Sequence, residues 1–308
     1  MTVILASRPN PYTGSPLDRA GALRDDEAWI ATRLADPASL LVPVWRSQTL
    51  FQGLESGRPE AVFLTGEAAS ALRMAGGPWA FLGLMGEQAV FAVDVSGVED
   101  PLPLLSETIG RFADLRLIGP GLPDKDAAIL AHARGLMHWR NRHRFCGNCG
   151  GPCTVRSAGH AYACTQCGAQ HFPRTDPAVI MLVHRADRVL LGHSQRFPKS
   201  NMYSTLAGFV EPGESLEEAV AREVLEESDV RVGAVLYHSS QPWPFPSSIM
   251  LGFYAEGLTE AITIDPTELR DARWFTRSEL QAPDAHGFTL PRRDSIARRL
   301  IEDWMMHR

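Results

Sequence analysis

Long hydrophobic runs are missing from this 308-residue chain: Ala178–Val183, among the longest, holds only six apolar residues, against the roughly 20 that a membrane helix needs. No segment is therefore expected to span a bilayer. The N-terminal stretch MTVILASRPNPYTG breaks its short apolar part with Arg8, two prolines and a glycine, which is not the core of a secretory leader; a cytoplasmic protein is expected. An excess of positive charge is missing as well. The 30 Lys+Arg face 36 Asp+Glu, a formal net charge of −6, so any nucleic-acid contact must be local rather than spread over the surface. Cysteine is scarce, and all five residues fall between Cys146 and Cys167. An odd number in one cluster suits a metal site better than a disulfide framework. Internal repeats and low-complexity tracts are absent too. What is present is 44% hydrophobic and 21% charged residues, the composition of an ordinary folded protein rather than a disordered one. The length allows two or three compact units.

Along the chain, the first part mixes short apolar runs (Ala61–Leu64, Ala80–Leu84, Ala89–Val95) that read as strands between Gly- and Pro-containing turns. It carries no legible catalytic motif. Asp124 reads as the N-cap of a helix through Ala127, Leu130, Ala131, Ala133, Leu136 and Met137. That helix leads into the basic and aromatic run from Trp139 to Phe145, which reads either as a solvated helix end or as a phosphate-facing patch. From about Arg174 onward strand-like runs (Val179–His184, Arg188–Gly192, Ile249–Ala255) alternate with one strongly marked helix, an α+β pattern.

Cys146-Gly-Asn-Cys149 and Cys164-Thr-Gln-Cys167 are two C-x2-C knuckles, each with a glycine nearby that lets the backbone turn around a metal. Four thiolates on two knuckles supply a closed tetrahedral shell for Zn2+, which makes the site structural rather than catalytic. Cys153 lies outside both knuckles and is expected to be a free thiol.

The most informative stretch runs from Gly208 to Val230. Pro212-Gly213 marks a turn, and helical periodicity begins around Ser215. Leu216, Ala219, Val220 and Val224 share one side of the helix, and Glu223 and Glu227, four residues apart, fall inside that apolar stripe. Two carboxylates there repel each other and resist burial unless divalent cations neutralise them. Glu226 flanks the pair, whereas Glu217 and Glu218 point elsewhere and read as solvated. The alternative is an acid-rich surface helix whose Arg222 pairs with a neighbouring Glu. Oxygen ligands on one helix face suit Mg2+ or Mn2+, which act on phosphates by charge neutralisation and water activation. The helix points to cleavage of a phosphoanhydride.

These residues resemble the Nudix box, G-x5-E-x7-R-E-U-x-E-E-x-G-U, at Gly208, Glu214, Arg222, Glu223, Val224, Glu226, Glu227 and Val230. Asp229 stands where the pattern has its second glycine, a left-handed position that Asp tolerates at a cost of about 1 kcal/mol; a shifted loop rather than a lost activity is expected. Downstream, Ser240-Gln-Pro-Trp-Pro-Phe-Pro-Ser-Ser248 resembles the signature of the NADH pyrophosphatases, which also remove NAD caps from RNA. By itself this segment reads as a packed edge loop, as a Pro-rich partner motif, or as a rigid mount for Trp243 and Phe245.

The resemblance implies an N-terminal α+β domain over 1–140, a zinc ribbon over 141–173 and a Nudix hydrolase domain over 174–308, an α/β/α sandwich with a mixed sheet. It implies Mg2+ or Mn2+ ligands at Ala207 (through its carbonyl), Glu223, Glu227 and Glu268. It implies substrate contacts at Phe172, Gln241, Pro242, Trp243, Pro244, Phe245, Pro246, Ser247, Ser248 and Ala297, with Phe209 a further candidate for stacking on a base. Relatives are similar in forming homodimers whose sites borrow residues from both chains. The expected reaction splits NAD(H) into nicotinamide mononucleotide and AMP, or uncaps NAD-capped RNA, with Glu223 a catalytic carboxylate and Glu227 or Glu226 the base. Two rivals stand beside it: a Nudix enzyme for ADP-ribose or another nucleoside diphosphate derivative, and a zinc-ribbon RNA-binding protein with a degenerate Nudix domain, motivated by Asp229 and Arg140–Arg144.

Overall fold

Alternate residues of the first strand, β1 (Leu40–Trp45), enter different cores: Leu41 one, Val42 and Val44 the other. A period of two along a strand covered on both faces produces this. The computed structural model describes residues 9–105, 109–197 and 201–306. Strands β2 (Gln48–Gln52), β3 (Glu60–Ala61), β4 (Trp79–Met85), β5 (Gln88–Asp94) and β6 (Arg111–Ala113) join β1 in the order β3-β2-β1-β5-β4, with β6 on β2. Only β1 and β5 run parallel. Helices α1 (Glu27–Ala35) and α2 (Gly66–Met74) bury Ile30 and Leu72 on one face with Leu41, Phe81 and Phe91. After the short α3 (Leu115–Ile118), the long α4 (Asp124–Arg142) covers the other face with Leu130, Ala133 and Met137.

Three local expectations shift. The run Ala61–Leu64 yields only the end of β3 and a single bridge from Leu64 to Leu41. Helix α4 starts one residue earlier than its expected cap: Pro123 is the N-cap, and Asp124 lies in the first turn. The basic run is split, because α4 continues to Arg142 and buries Trp139 and Arg140, while Arg142 and Arg144 stay exposed. It is neither wholly solvated nor one open patch.

The ribbon follows as β7 (Cys153–Arg156), β8 (Ala161–Cys164) and β9 (Gln170–His171), a small antiparallel sheet. Beyond it, β10 (Asp176–Arg185) pairs in parallel with β14 (Ser248–Gly257) along one edge. Its other edge is shared by β12 (Leu206–Phe209) and β11 (Arg188–Ser194), both antiparallel. With β13 (Val232–Trp243) and β15 (Leu269–Thr276) the order is β13-β14-β10-β11-β15. Val179, Met181 and Val183 of β10 pack with Ala219, Val220 and Val224 of α5 (Leu216–Ser228). Ile180 and Leu182 face α7 (Ile296–Met306), which follows the short α6 (Arg277–Gln281). This is the expected sandwich with a mixed sheet.

The described chain divides into two compact units: Tyr12–Thr175 with Trp243–Ser247, and Asp176–Pro242 with Ser248–Arg308 and the chain up to Pro11. The ribbon belongs to the first. Among the described residues no helix is long and apolar enough to cross a membrane; the leader reading rests largely on residues 1–8, which lie outside the described residues.

Helix α5 opens on a capping box, Ser215 Oγ accepting from the Glu218 amide at 3.2 Å and the Glu218 carboxylate from the Ser215 amide at 2.8 Å. Glu218 is thus a capping residue rather than a merely solvated acid. The helix closes on Asp229 at φ 58°, ψ 15°, the left-handed cap that glycine favours. Removing the Cβ strain in Asp229→Gly is expected to stabilise the protein by about 1 kcal/mol, seen as a rise of about 2–4 °C in Tm. A lower Tm would show that the Asp side chain has a stabilising contact of its own.

Candidate active site and metal centre

The acids of α5 are organised by one guanidinium. Arg222 donates from Nε and Nη2 to the two oxygens of Glu214 at 2.7 and 2.9 Å, and from Nη1 to Glu223 and Glu226, both at 2.9 Å. Its Nη2 also donates to the Phe209 carbonyl at 2.9 Å. A planar fork can hold several acceptors at fixed angles, which a lysine cannot. The network pins the glycine loop to the helix and holds the Glu214 carboxyl down at about 2, chiefly through Arg222. Arg222 is expected as the arginine of the Nudix-box resemblance and, in the alternative reading, as the ion-pair partner of a neighbouring Glu; it pairs with three.

Glu227 lies outside that fork. It is buried, and burial first, then Glu223 and Glu268, push its carboxyl up to about 8, against the Ala207 amide that donates to it. Burial also raises Glu223, with Arg222 opposing. Ala207 and Glu227 are therefore neighbours, and Glu268 reaches them from the loop before β15, whose backbone is tied to α5 by the Asp265 amide on the Glu227 carbonyl at 3.2 Å. Gln195 fixes the same loop, its amide donating to the Glu268 carbonyl at 2.9 Å. Among the described residues only the four ribbon cysteines gather three or more candidate ligand atoms within 4.8 Å of one another; Glu223, Glu227 and Glu268 interact at longer range. The donors are all oxygen, and the ionised form of Glu227, which burial, Glu223 and Glu268 disfavour, is what a divalent cation would stabilise, so the residues fit the expected metal.

Gly208 explains how Glu223 finds its place. An added Cβ there would lie 1.8 Å from the Glu223 carboxyl carbon. Gly208→Ala is expected to push that carboxylate aside and lower kcat/KM by about 10²-fold, while Tm changes little because the obstructed group is the end of a flexible side chain. Unchanged kinetics in the variant would remove Glu223's position from the argument.

The expected substrate residues part company. Phe172 and Phe209 are 63% and 58% exposed. Trp243 and Phe245 are instead half-buried with Tyr12, ring centroids 6.2 and 5.7 Å from it, and are covered by Arg116 at 5.8 Å and Arg134 at 4.8 Å respectively. Arg134 also donates to the Pro244 carbonyl at 2.9 Å. Pro244, Phe245, Pro246 and Ser247 form the turn between β13 and β14, so this segment is a packed loop and not a free aromatic mount. Pro242 and Ser248 are half-buried strand residues on either side. Gln241 is wholly buried: its amide donates to the carbonyls of Asp294 at 2.7 Å and Pro11 at 3.3 Å, and accepts from the Ile296 amide at 2.8 Å. Its side chain joins β13 to the start of α7. Ala297 likewise sits in the α7 core.

In the ribbon, Cys146, Cys149, Cys164 and Cys167 are gathered as expected. Sulfur pairs Cys146/Cys167 and Cys149/Cys164 lie 3.7 and 3.4 Å apart, near the ~3.8 Å edge of a tetrahedron with ~2.3 Å Zn–S bonds. Gly150 and Gly168, at φ 73° and 74°, turn the two knuckles. Amides of Asn148 and Cys149 hold the Cys146 thiol down at about 6. His171 Nε2, which sequence reading passed over, lies 3.3 Å from Cys146 Sγ.

Three family models match in succession: an NADH pyrophosphatase-like rudimentary NUDIX domain over 38–139, an NADH pyrophosphatase zinc ribbon domain over 141–172 and a NUDIX domain over 174–297. The chain is 43% identical over 248 residues to the NAD-capped RNA hydrolase NudC of Stutzerimonas stutzeri, covering 71% of this chain and 87% of that protein. The chain belongs to the NADH pyrophosphatase family of Nudix hydrolases. It is also 41% identical over 198 residues to the NAD-capped RNA hydrolase NUDT12 of Homo sapiens, matching 60% of this chain but only 43% of that longer protein. Among solved structures, a NUDIX hydrolase from Nitrosomonas europaea is similar with a TM-score of 0.45 and 24% identity, over 54% of this chain and 92% of that one. Family membership makes the chain a hydrolase of pyrophosphate bonds that uses a divalent metal, with a structural zinc site in its ribbon.

Proposed function

We propose that the chain hydrolyses the pyrophosphate bond of NAD(H) to nicotinamide mononucleotide and AMP, and removes NAD caps from RNA to leave 5′-monophosphate ends. The observation that carries this reading is the acid set around Glu227 in a chain whose relatives are named NAD-capped RNA hydrolases. Glu223, Glu227, Glu268 and the Ala207 carbonyl would hold Mg2+ or Mn2+. When bound, such ions neutralise phosphate charge and acidify water.

The residues of the chain divide the remaining work. Arg222 holds Glu214, Glu223 and Glu226 in one hydrogen-bonded array. Glu227 is assigned as proton acceptor, because it is the buried acid of the set and burial raises its affinity for a proton. Phe209, mounted on the Arg222-bound backbone, and Phe172 offer exposed rings for base stacking. Gln241, Trp243 and Phe245 act by holding their loop. A homodimer and a reducing cytoplasmic setting, which would keep the four ribbon thiolates and Cys153 out of disulfides, belong to the same proposal.

The test is cation-dependent release of nicotinamide mononucleotide from NADH and from a short NAD-capped RNA, with ADP-ribose at equal concentration as competitor substrate. Turnover of both NAD substrates is expected. A preference for ADP-ribose of tenfold or more would replace the substrate assignment.

A further inference from the structure

The unit Tyr12–Thr175 gathers basic side chains from three separate segments. Arg19 and Arg24 come from the chain before α1, His132 and Arg140 from α4, and His160 from the turn between β7 and β8. Arg19 Nη1 lies 2.8 and 2.7 Å from the two ring nitrogens of His132. Arg24 donates to the Arg19 carbonyl at 3.3 Å, and the rings of His132 and His160 are 6.0 Å apart. Arg140 is only 5% exposed, yet its Nε and Nη1 have no hydrogen-bond partner, and its guanidinium rests 5.7 Å from the Tyr162 ring. Arg24 Nε is buried and unpartnered as well.

Acids at the edge of this cluster are engaged elsewhere. Asp25, within electrostatic range of Arg24, accepts from the Ser157 hydroxyl at 2.8 Å, and Asp18 accepts from the Ala20 amide at 2.9 Å. Burial and the neighbouring arginines hold His132 well below its ordinary pKa and His160 down at about 4. Three guanidinium groups brought near one another, with orphaned donors on Arg24 and Arg140, are costly without an anion to answer them.

We propose that this cluster is a binding site for one phosphoryl group, held by the guanidinium groups of Arg19, Arg24 and Arg140, with His132 and His160 beside them. Guanidinium forks match phosphate oxygens in geometry and charge. The partial burial suits a single group rather than a nucleic-acid strand, whose repeating charges track an open groove. Free phosphate and the phosphate of a mononucleotide share this chemistry.

The experiment titrates the zinc-loaded full-length chain with inorganic phosphate and with AMP by calorimetry, without added divalent cation. Arg19→Gln/Arg24→Gln is the test variant, since both positions lie near the surface. Arg46→Gln, an exposed arginine over Trp45 in the same unit, is the control. Saturable binding is expected, weakened at least tenfold in the double variant and unchanged in the control, with NADH turnover retained in both. Equal affinities would assign free phosphate as the ligand, and tighter AMP binding with the same loss would assign a mononucleotide. Absence of saturable binding of either anion, or binding that the double variant leaves intact, would overturn the site.

Discussion

Replacing Glu227 by Gln is expected to lower NADH turnover by about 10²–10⁴-fold, the range for loss of a general base, and to make the metal-free protein more stable above neutral pH. The two effects have one cause. Glu227 is buried, and its carboxyl is pushed up to about 8 by burial and by Glu223 and Glu268. In the unfolded chain a glutamate titrates near ~4.3. Between those values the folded chain holds a proton that the unfolded chain has released. The stability linked to this group is therefore fully present below the unfolded value and declines as pH rises through the folded one, by up to about 5 kcal/mol. Gln does not titrate, so the variant's Tm should vary less between pH 5 and 8.5. A divalent cation competes with the same proton, so binding at pH 7 should release close to one proton more per site in the wild type than in the variant. Calorimetry in two buffers of different ionisation heat measures this. Full turnover by the variant, or proton-neutral cation binding by the wild type, would refute the assignment.

What could be read from the sequence follows from the range over which each feature is determined. The cysteine knuckles and the phase of Glu223 and Glu227 are set within one loop or two helical turns, so spacing alone predicted the thiol cluster and the half-buried acids. The left-handed cap at Asp229 was legible for the same reason. Features that depend on distant partners were not. Gln241 is satisfied by Pro11, Asp294 and Ile296, and Trp243 and Phe245 by Tyr12, Arg116 and Arg134. No local pattern reveals such distant partners. Strand β1 hides behind Pro43, which cannot donate to a ladder; it is tolerated because β2 pairs only with Val44 and Trp45. The gathering of Arg19, Arg24, His132, Arg140 and His160 likewise exists only after the unit has folded.

Removing zinc is expected to have the largest effect on the fold. The ribbon's strands span Cys153–Arg156, Ala161–Cys164 and Gln170–His171, too short to hold together by themselves. Its few buried side chains belong elsewhere: Tyr162 joins the α4 core, and Ala158 the core on the opposite face of the N-terminal sheet. The ribbon therefore has no core of its own, and the four thiolates must supply the order that apolar burial does not. Cys146 and Cys164 are the buried pair, Cys149 and Cys167 the exposed one. Cys146→Ser or Cys164→Ser should abolish stoichiometric zinc and destabilise the unit by about 4–5 kcal/mol or more, a fall in Tm of about 10–20 °C. Cys153→Ser should retain zinc, because its sulfur lies outside the four-thiol group. Chelation of the wild type should reproduce the Cys164→Ser melting curve, and Tyr162, packed on Trp139 with ring centroids 5.2 Å apart, should carry the disturbance into α4. Zinc content and Tm that stay at wild-type values in both serine variants would show that the ribbon is ordered by its packing against the N-terminal sheet and not by metal.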